Sequence, residues 1–225
     1  MRYFQSWESF SALMSSLFSG TGVSLCIFLF TLLLSIPLGF LICFGRMSKI
    51  KPVKWLSQIY ILVFRGTPLM LQLLFFYFLF GSMKIPGLGS TVGRITVAIV
   101  VFAINYSSYF AEIFRGGIQS IPKGQYEAAD MLGFTRKQAF SKIILPQVLK
   151  AVLPPVGNEV ITLVKDTALA YVIAVSDLLR ESQIIVNRDS NLMPYAVAAV
   201  FYLVLTTLFT HICEKIEKKY SYYKV

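Results

Sequence analysis

The chain has 225 residues, which by length alone suits one or two soluble domains. Its composition excludes that: 56% of residues are hydrophobic and only 14% charged, with a mean hydropathy of +0.68, whereas soluble domains run near about 25% charged. A net charge of +10 would suggest nucleic acid in a soluble protein, but here the basic residues gather between apolar runs, which points to a membrane surface and no nucleic-acid partner.

Residues 1–20 come first. Tyr3, Phe4, Trp7, Phe10, Leu13, Met14, Leu17 and Phe18 recur at helical spacing among Ser, Gln and Glu, which predicts an amphipathic helix lying on the membrane interface. The same spacing also suits an ordinary packed helix. The apolar run that follows is too long for the core of a cleavable signal peptide.

A span needs about 20 mostly apolar residues. Five are predicted: Thr21 to Phe44, Pro68 to about Met83, Ile95 to about Phe114, about Leu153 to Val175, and Leu192 to Cys213. The expected fold is therefore an all-α membrane protein of five transmembrane helices, with a permease domain over 21–215 and a tail over 216–225. Lys and Arg concentrate after span 1 (Arg46 to Arg65), between spans 3 and 4 (Arg115 to Lys150) and after span 5 (Lys215 to Lys224). By the positive-inside rule those segments are cytoplasmic, the N-terminus outside and the C-terminus inside.

In the second span Thr67 suits an N-cap and Pro68 a first helical residue. The resulting helix is short, as broken helices beside transport pathways are. A helix start at the cytoplasmic surface, with Arg65 reaching the headgroups, accounts for the same residues.

The stretch 115–150 is hydrophilic but patterned. Pro122 can open a helix through Gln125, Glu127, Ala128, Ala129 and Leu132, and Gly133 can end it. Thr135 with Gln138 has capping-box spacing. Ala139, Phe140, Ile143 and Ile144 then share an apolar face, and Pro146 is expected to end that helix. Two short capped helices on a membrane suit docking to a cytoplasmic partner.

These residues resemble the EAA signature of ABC importer permeases: Glu127-Ala128-Ala129, then Gly133, then Ile143, Leu145 and Pro146. Phe64-Arg65-Gly66-Thr67-Pro68, Ala111 to Ile118, and Lys165-Asp166-Thr167-Ala168-Leu169 resemble the polar amino-acid branch of that family. The likeness covers about residues 20 to 215. It departs at Ala168, where serine is at least as common. The resemblance implies a bacterial plasma-membrane permease whose loop, through Glu127, Ala128, Ala129, Gly133 and Thr135, docks an ATP-binding-cassette ATPase. It also implies an extracytoplasmic substrate-binding protein and a second permease, with a homodimer the simpler expectation.

No cofactor is expected on this chain. Gly87 to Gly93 lacks the lysine of a phosphate-binding loop, so ATP and Mg belong to the partner ATPase. Cys26, Cys43, Cys213 and His211 have no metal-ligand spacing, and no nucleophile–base pair points to an enzyme.

Ionisable groups within spans are functional candidates. Glu159, Thr162 and Asp166 share one helical face, and Asn105, Ser108, Tyr109 and Glu112 another. These residues are candidates for binding the cationic part of an amino acid, with an excess of carboxylates favouring a basic one. Internal pairing, Glu112 with Arg115 or Asp166 with a neighbouring lysine, accounts for the same groups. A transporter of small amino compounds driven by an ion gradient would also need intramembrane carboxylates, but not a capped docking loop.

Overall fold

The computed structural model describes residues 7–220, and every described element is helical. In order these are α1 (Trp7–Met47), α2 (Lys51–Gly66), α3 (Leu69–Ser82), α4 (Thr91–Gln119), α5 (Lys123–Met131) and α6 (Arg136–Ala139). A π turn (Phe140–Ile144) leads into α7 (Leu145–Asp166), a 3-10 segment (Thr167–Ile173), α8 (Leu178–Asp189) and α9 (Met193–Tyr220). Four helices are long and apolar enough to cross a membrane, and α2 with α3 makes a fifth candidate bent by 107°.

The centre is α4. Over its most apolar window 67% of residues are buried, against 6% in α9. Val101, Phe102, Phe110 and Ala111 of α4 meet Ile27, Phe28 and Cys43 of α1 in the core. α1 and α4 form the most extensive helix pair, because Gly39 lets the backbones close up. A Cβ there would stand 2.7 Å from that of Phe110. On α9, Leu203, Val204 and Leu208 face outward, as lipid-facing residues of a peripheral span do.

The structure differs from the sequence expectation in three regions, the first being the two chain ends. The interfacial helix expected over residues 1–20 is not separate: from Trp7 onward it is the start of the 41-residue α1, and residues 1–6 lie outside the described residues. Its apolar spacing serves packing, since Leu13 and Leu17 bury against Leu178 and Ile185 of α8 and Ala198 of α9. Thr21 Oγ donates to Leu17 O at 2.7 Å, so the polar residues before the predicted span do not interrupt the helix. At the other end α9 continues to Tyr220, making half of the expected tail helical; 221–225 lie outside the described residues.

The second difference is at Pro146. Residues 136–173 form one helical stretch of 38 residues, not a docking helix followed by a break. A proline ring ordinarily collides with the carbonyl four residues back. Here the preceding turn is π-helical, with Leu145 N–H donating to Phe140 O, and the widened ladder accommodates the ring.

The third is the second span. A separate helix over Lys51–Gly66 precedes the predicted span, and Pro68, not Thr67, is the N-cap of α3. Thr67 before proline is extended (φ −120°, ψ 147°), and its hydroxyl turns back to Val63 O at 2.8 Å. With 14 residues, α3 rises only about 21 Å, too short to cross by itself, and with α2 it forms a broken span or a re-entrant loop.

At the end of the bundle opposite the 115–150 loop, Asp177 caps α8, its Oδ1 accepting from Arg180 N–H at 3.0 Å. The side chain is wholly buried and Oδ2 has no partner. Burial outweighs the cap bond and pushes its pKa up to about 7.

Candidate functional site

Two features carry chemistry. The first is the loop. α5 ends in a Schellman arrangement: Gly133 sits at φ +75°, Gly133 N–H donates to Asp130 O at 3.0 Å and Phe134 N–H to Ala129 O at 3.0 Å. Thr135 then caps α6 reciprocally, accepting from Gln138 N–H at 3.3 Å and donating its own N–H to Gln138 Oε1 at 3.0 Å. Gln147 of α7 donates to Gln125 Oε1 at 3.2 Å, tying α5 to the span.

The turn is thus fixed at both ends and anchored below. Glu127, Ala128, Gly133 and Thr135 lie on its exposed side, whereas Ala129 is turned inward. Ala129 therefore seals α5 against its own protein and leaves close approach from outside to Ala128. Met131 and Leu132, 89% and 74% exposed, stand at the tip beside Gly133. Their signal in the sequence is two large apolar residues directly before a helix-ending glycine.

The second feature is a polar face halfway along the spans, and the structure divides the predicted residues. Asn105, the middle residue of α4, is buried, and its amide donates to Phe64 O at 2.8 Å and Gln72 Oε1 at 2.9 Å. Gln72 Nε2 in turn donates to Phe64 O and Thr67 O, each at 3.0 Å. Asn105 thereby locks the α2–α3 elbow. Ser108 is also buried, donating to Asn105 O at 2.6 Å. Glu112 accepts from Arg115 Nε at 3.0 and 3.1 Å, with Arg46 at 3.7 Å; this is the internal pairing the sequence left open. Asn105, Ser108 and Glu112 are therefore committed to neighbours within the chain.

On α7, Thr162 and Lys165 are exposed and Glu159 and Asp166 half-buried. Asp166 Oδ2 accepts from Tyr106 OH at 2.7 Å. Opposite them the elbow presents Arg65, its guanidinium carbon 5.1 Å from the centre of the Tyr109 ring and within the electrostatic reach of Glu159. The structure therefore brings together Glu159, Asp166, Tyr106, Tyr109 and Arg65. Of the two readings the sequence left open for Arg65, the structure supports its place beside a broken helix: the bonds of Phe64 O pin its neighbour to the middle of α4. Charged groups at this depth face a water-filled path or protein, not lipid.

The comparisons agree with a transport component. Residues 32–222 match the family model described as binding-protein-dependent transport system inner membrane component. The L-cystine transport system permease protein TcyB of Bacillus subtilis is 36% identical over 80% of this chain and 75% of that protein. The arginine transport system permease protein ArtQ of Bacillus subtilis is 34% identical over 89% of this chain and 90% of its own. The glutamine transport system permease protein GlnP of Escherichia coli is 33% identical over 95% and 96%. A chain from the crystal structure of an amino acid ABC transporter with histidines superposes with a TM-score of 0.84 at 34% identity, over 95% of this chain and 98% of that one.

Proposed function

The chain belongs to the binding-protein-dependent inner membrane transport components, as the permease subunit of an ABC importer for amino acids, and on that premise we propose how it moves its substrate. It is a multi-pass inner membrane protein and not the ATPase. An ATPase and a binding protein are its implied partners.

In the proposed cycle the 115–150 loop is cytoplasmic, as are the C-terminus and the basic segments, while α8 and the start of α1 face outside. The ATPase engages Glu127, Ala128, Met131, Leu132, Gly133 and Thr135. ATP with Mg is bound and hydrolysed on that partner. Because α6, the π turn and α7 form one helical stretch, a push on the loop is delivered directly to the helix carrying Glu159, Thr162 and Asp166. This continuity is the observation that carries the reading: the turn bearing the docking surface leads at Thr135 straight into the helical stretch 136–173 that carries the polar face.

The polar face is open at mid-span on a single chain, so a second permease, in the simplest case a copy of this one, completes the path. The carboxylates of Glu159 and Asp166 receive the ammonium of the amino acid. The substrate class is polar amino acids, among which the named relatives' arginine, glutamine and cystine are the first to test.

The experiment is reconstitution with ATPase and binding protein in liposomes. Replacing Glu127 by Lys is expected to abolish uptake and binding-protein-stimulated ATP hydrolysis while leaving the permease's melting temperature unchanged. Normal stimulation in that variant would count against the docking surface.

A further inference from the structure

We propose that a cavity at the loop end of the bundle holds one anionic phospholipid of the surrounding bilayer, with an acyl chain inside and the phosphate on a rim of lysines.

The cavity, of about 330 Å³, is bounded by Phe40 and Phe44 of α1, Phe114 and Ile118 of α4, and Leu149 and Val152 of α7. Its volume suits a small ligand. Tyr126 of α5 and Phe140 of the π turn close its loop end, and every lining side chain is apolar apart from the Tyr126 hydroxyl. The wall is formed in advance, since the rings of Phe40 and Phe114 stack with centroids 3.8 Å apart and planes 5° from parallel.

Depth decides between occupants. From Phe40 to Met47 the cavity follows two turns of α1, about 10 Å, starting within the apolar run and ending at the basic segment that follows it. An ATPase beside the membrane reaches the outer end alone. A second permease completes the polar face, but helical spacing puts Phe114 and Ile118 on the side of α4 opposite Asn105 and Glu112. Lipid meets the cavity at both depths.

The rim selects the headgroup. Lys49 lies two residues beyond Met47, Lys123 one turn before Tyr126, Lys137 one turn before Phe140 and Lys142 two residues after it. All four are exposed, and none makes an ion pair within 4.0 Å among the described residues. On α5, Asp130 shares the Tyr126 side and Glu127 belongs to the docking face, so four lysines and one aspartate leave the rim with three net positive charges. Lysines whose stems lie along apolar surface draw in a headgroup of net negative charge and have no such pull on a zwitterionic one.

The test is native mass spectrometry of the purified permease–ATPase complex offered phosphatidylglycerol and phosphatidylcholine in equal amounts. At about 5-fold for each net charge, wild type is expected to prefer phosphatidylglycerol by about 100-fold. Lys137→Gln combined with Lys142→Gln should weaken phosphatidylglycerol by about 30-fold and leave phosphatidylcholine unchanged. Leu149→Trp, which fills the cavity, should expel both.

Equal retention of the two lipids by wild type, or phosphatidylglycerol binding that survives both sets of substitutions, overturns the proposal. So does a Leu149→Trp complex that keeps its lipid and loses the ATPase or the second permease, which would make the cavity a seat for protein. Should Leu149→Trp fail to assemble, the lysine variant decides, because its changes lie on exposed side chains: an unchanged preference there refutes headgroup recognition. Glu127→Lys judges the docking surface separately. Normal ATPase stimulation in that variant beside the expected lipid preference keeps the lipid site and removes the docking surface, and abolished stimulation beside equal lipid retention does the reverse.

Discussion

The elbow between α2 and α3 allows a quantitative test of what Asn105 does. Replacing Asn105 by Ala removes two hydrogen bonds, at 2.8 Å to Phe64 O and 2.9 Å to Gln72 Oε1. Each is worth about 1 kcal/mol net, and a buried acceptor left without a donor costs about 1–3 kcal/mol more. Phe64 O keeps its bond from Gln72 at 3.0 Å, so the orphan is Gln72 Oε1, on a side chain 6% exposed. The loss should total about 3 kcal/mol, and for a chain of this size that lowers the melting temperature by about 6–12 °C. Asn105→Asp should be worse, since a carboxylate would face two acceptor oxygens. Adding Gln72→Leu to Asn105→Leu should cost less than the sum of the single changes, because the orphan disappears with its partner. Thermal melting of the purified complex, run beside substrate binding, reads these values. If Asn105→Ala leaves the melting temperature unchanged and lowers affinity alone, Asn105 is a substrate contact and the elbow argument fails.

Other outcomes follow from single residues. Gly133→Ala places a Cβ at φ +75°, costing about 1–2 kcal/mol; uptake should fall while Gly133→Asn keeps more of it, and equal activity of the two would disprove the backbone explanation. Gly39→Ala puts a methyl 2.7 Å from Phe110 Cβ and should destabilise the α1–α4 pair by about 1–3 kcal/mol, as melting would show; an unchanged melting temperature would mean that the two helices can part at no cost. For Asp177 the folded pKa of about 7 lies above the ordinary 3.8, so its protonated form is favoured by folding. Its contribution is complete at low pH and is lost as pH rises through about 7, by up to about 1.4 kcal/mol per pH unit between the two values. Melting temperature should thus fall from pH 5 to pH 7 and then level. Asp177→Asn, which keeps the cap, should flatten the profile, and a wild-type slope persisting in that variant would assign it to another group.

The loop was legible because its signals are local. Pro122, Gly133, Thr135 and Gln138 each act on the backbone within a few residues, and the structure has the corresponding caps at those positions. What the sequence concealed there depends on context outside the window: Pro146 breaks a helix unless the turn before it is π, and Ala129 differs from Ala128 only in being buried by the fold. Span existence was equally clear, since apolar length sets it. Helix ends were not, because a run of Ser, Gly and Thr before Gly22 interrupts hydropathy without interrupting the hydrogen-bond ladder of α1.

The polar face was half legible for a related reason. Helical spacing puts Asn105, Ser108 and Glu112 on one side of α4, but it does not reveal which neighbour occupies that side. The elbow takes Asn105, Arg115 and Arg46 take Glu112, and Ser108 turns back to Asn105 O of its own helix. Arg65 was hidden by the converse effect. Its position after a basic segment and before Gly66-Thr67-Pro68 places it at a membrane surface only if a span begins at Pro68. The bonds of Phe64 O tie the same break to the middle of α4, and the arginine beside it lies over the Tyr109 ring. The bend of 107° decides what the arginine meets, since the elbow turns it toward the Tyr109 ring and into electrostatic reach of Glu159 on α7.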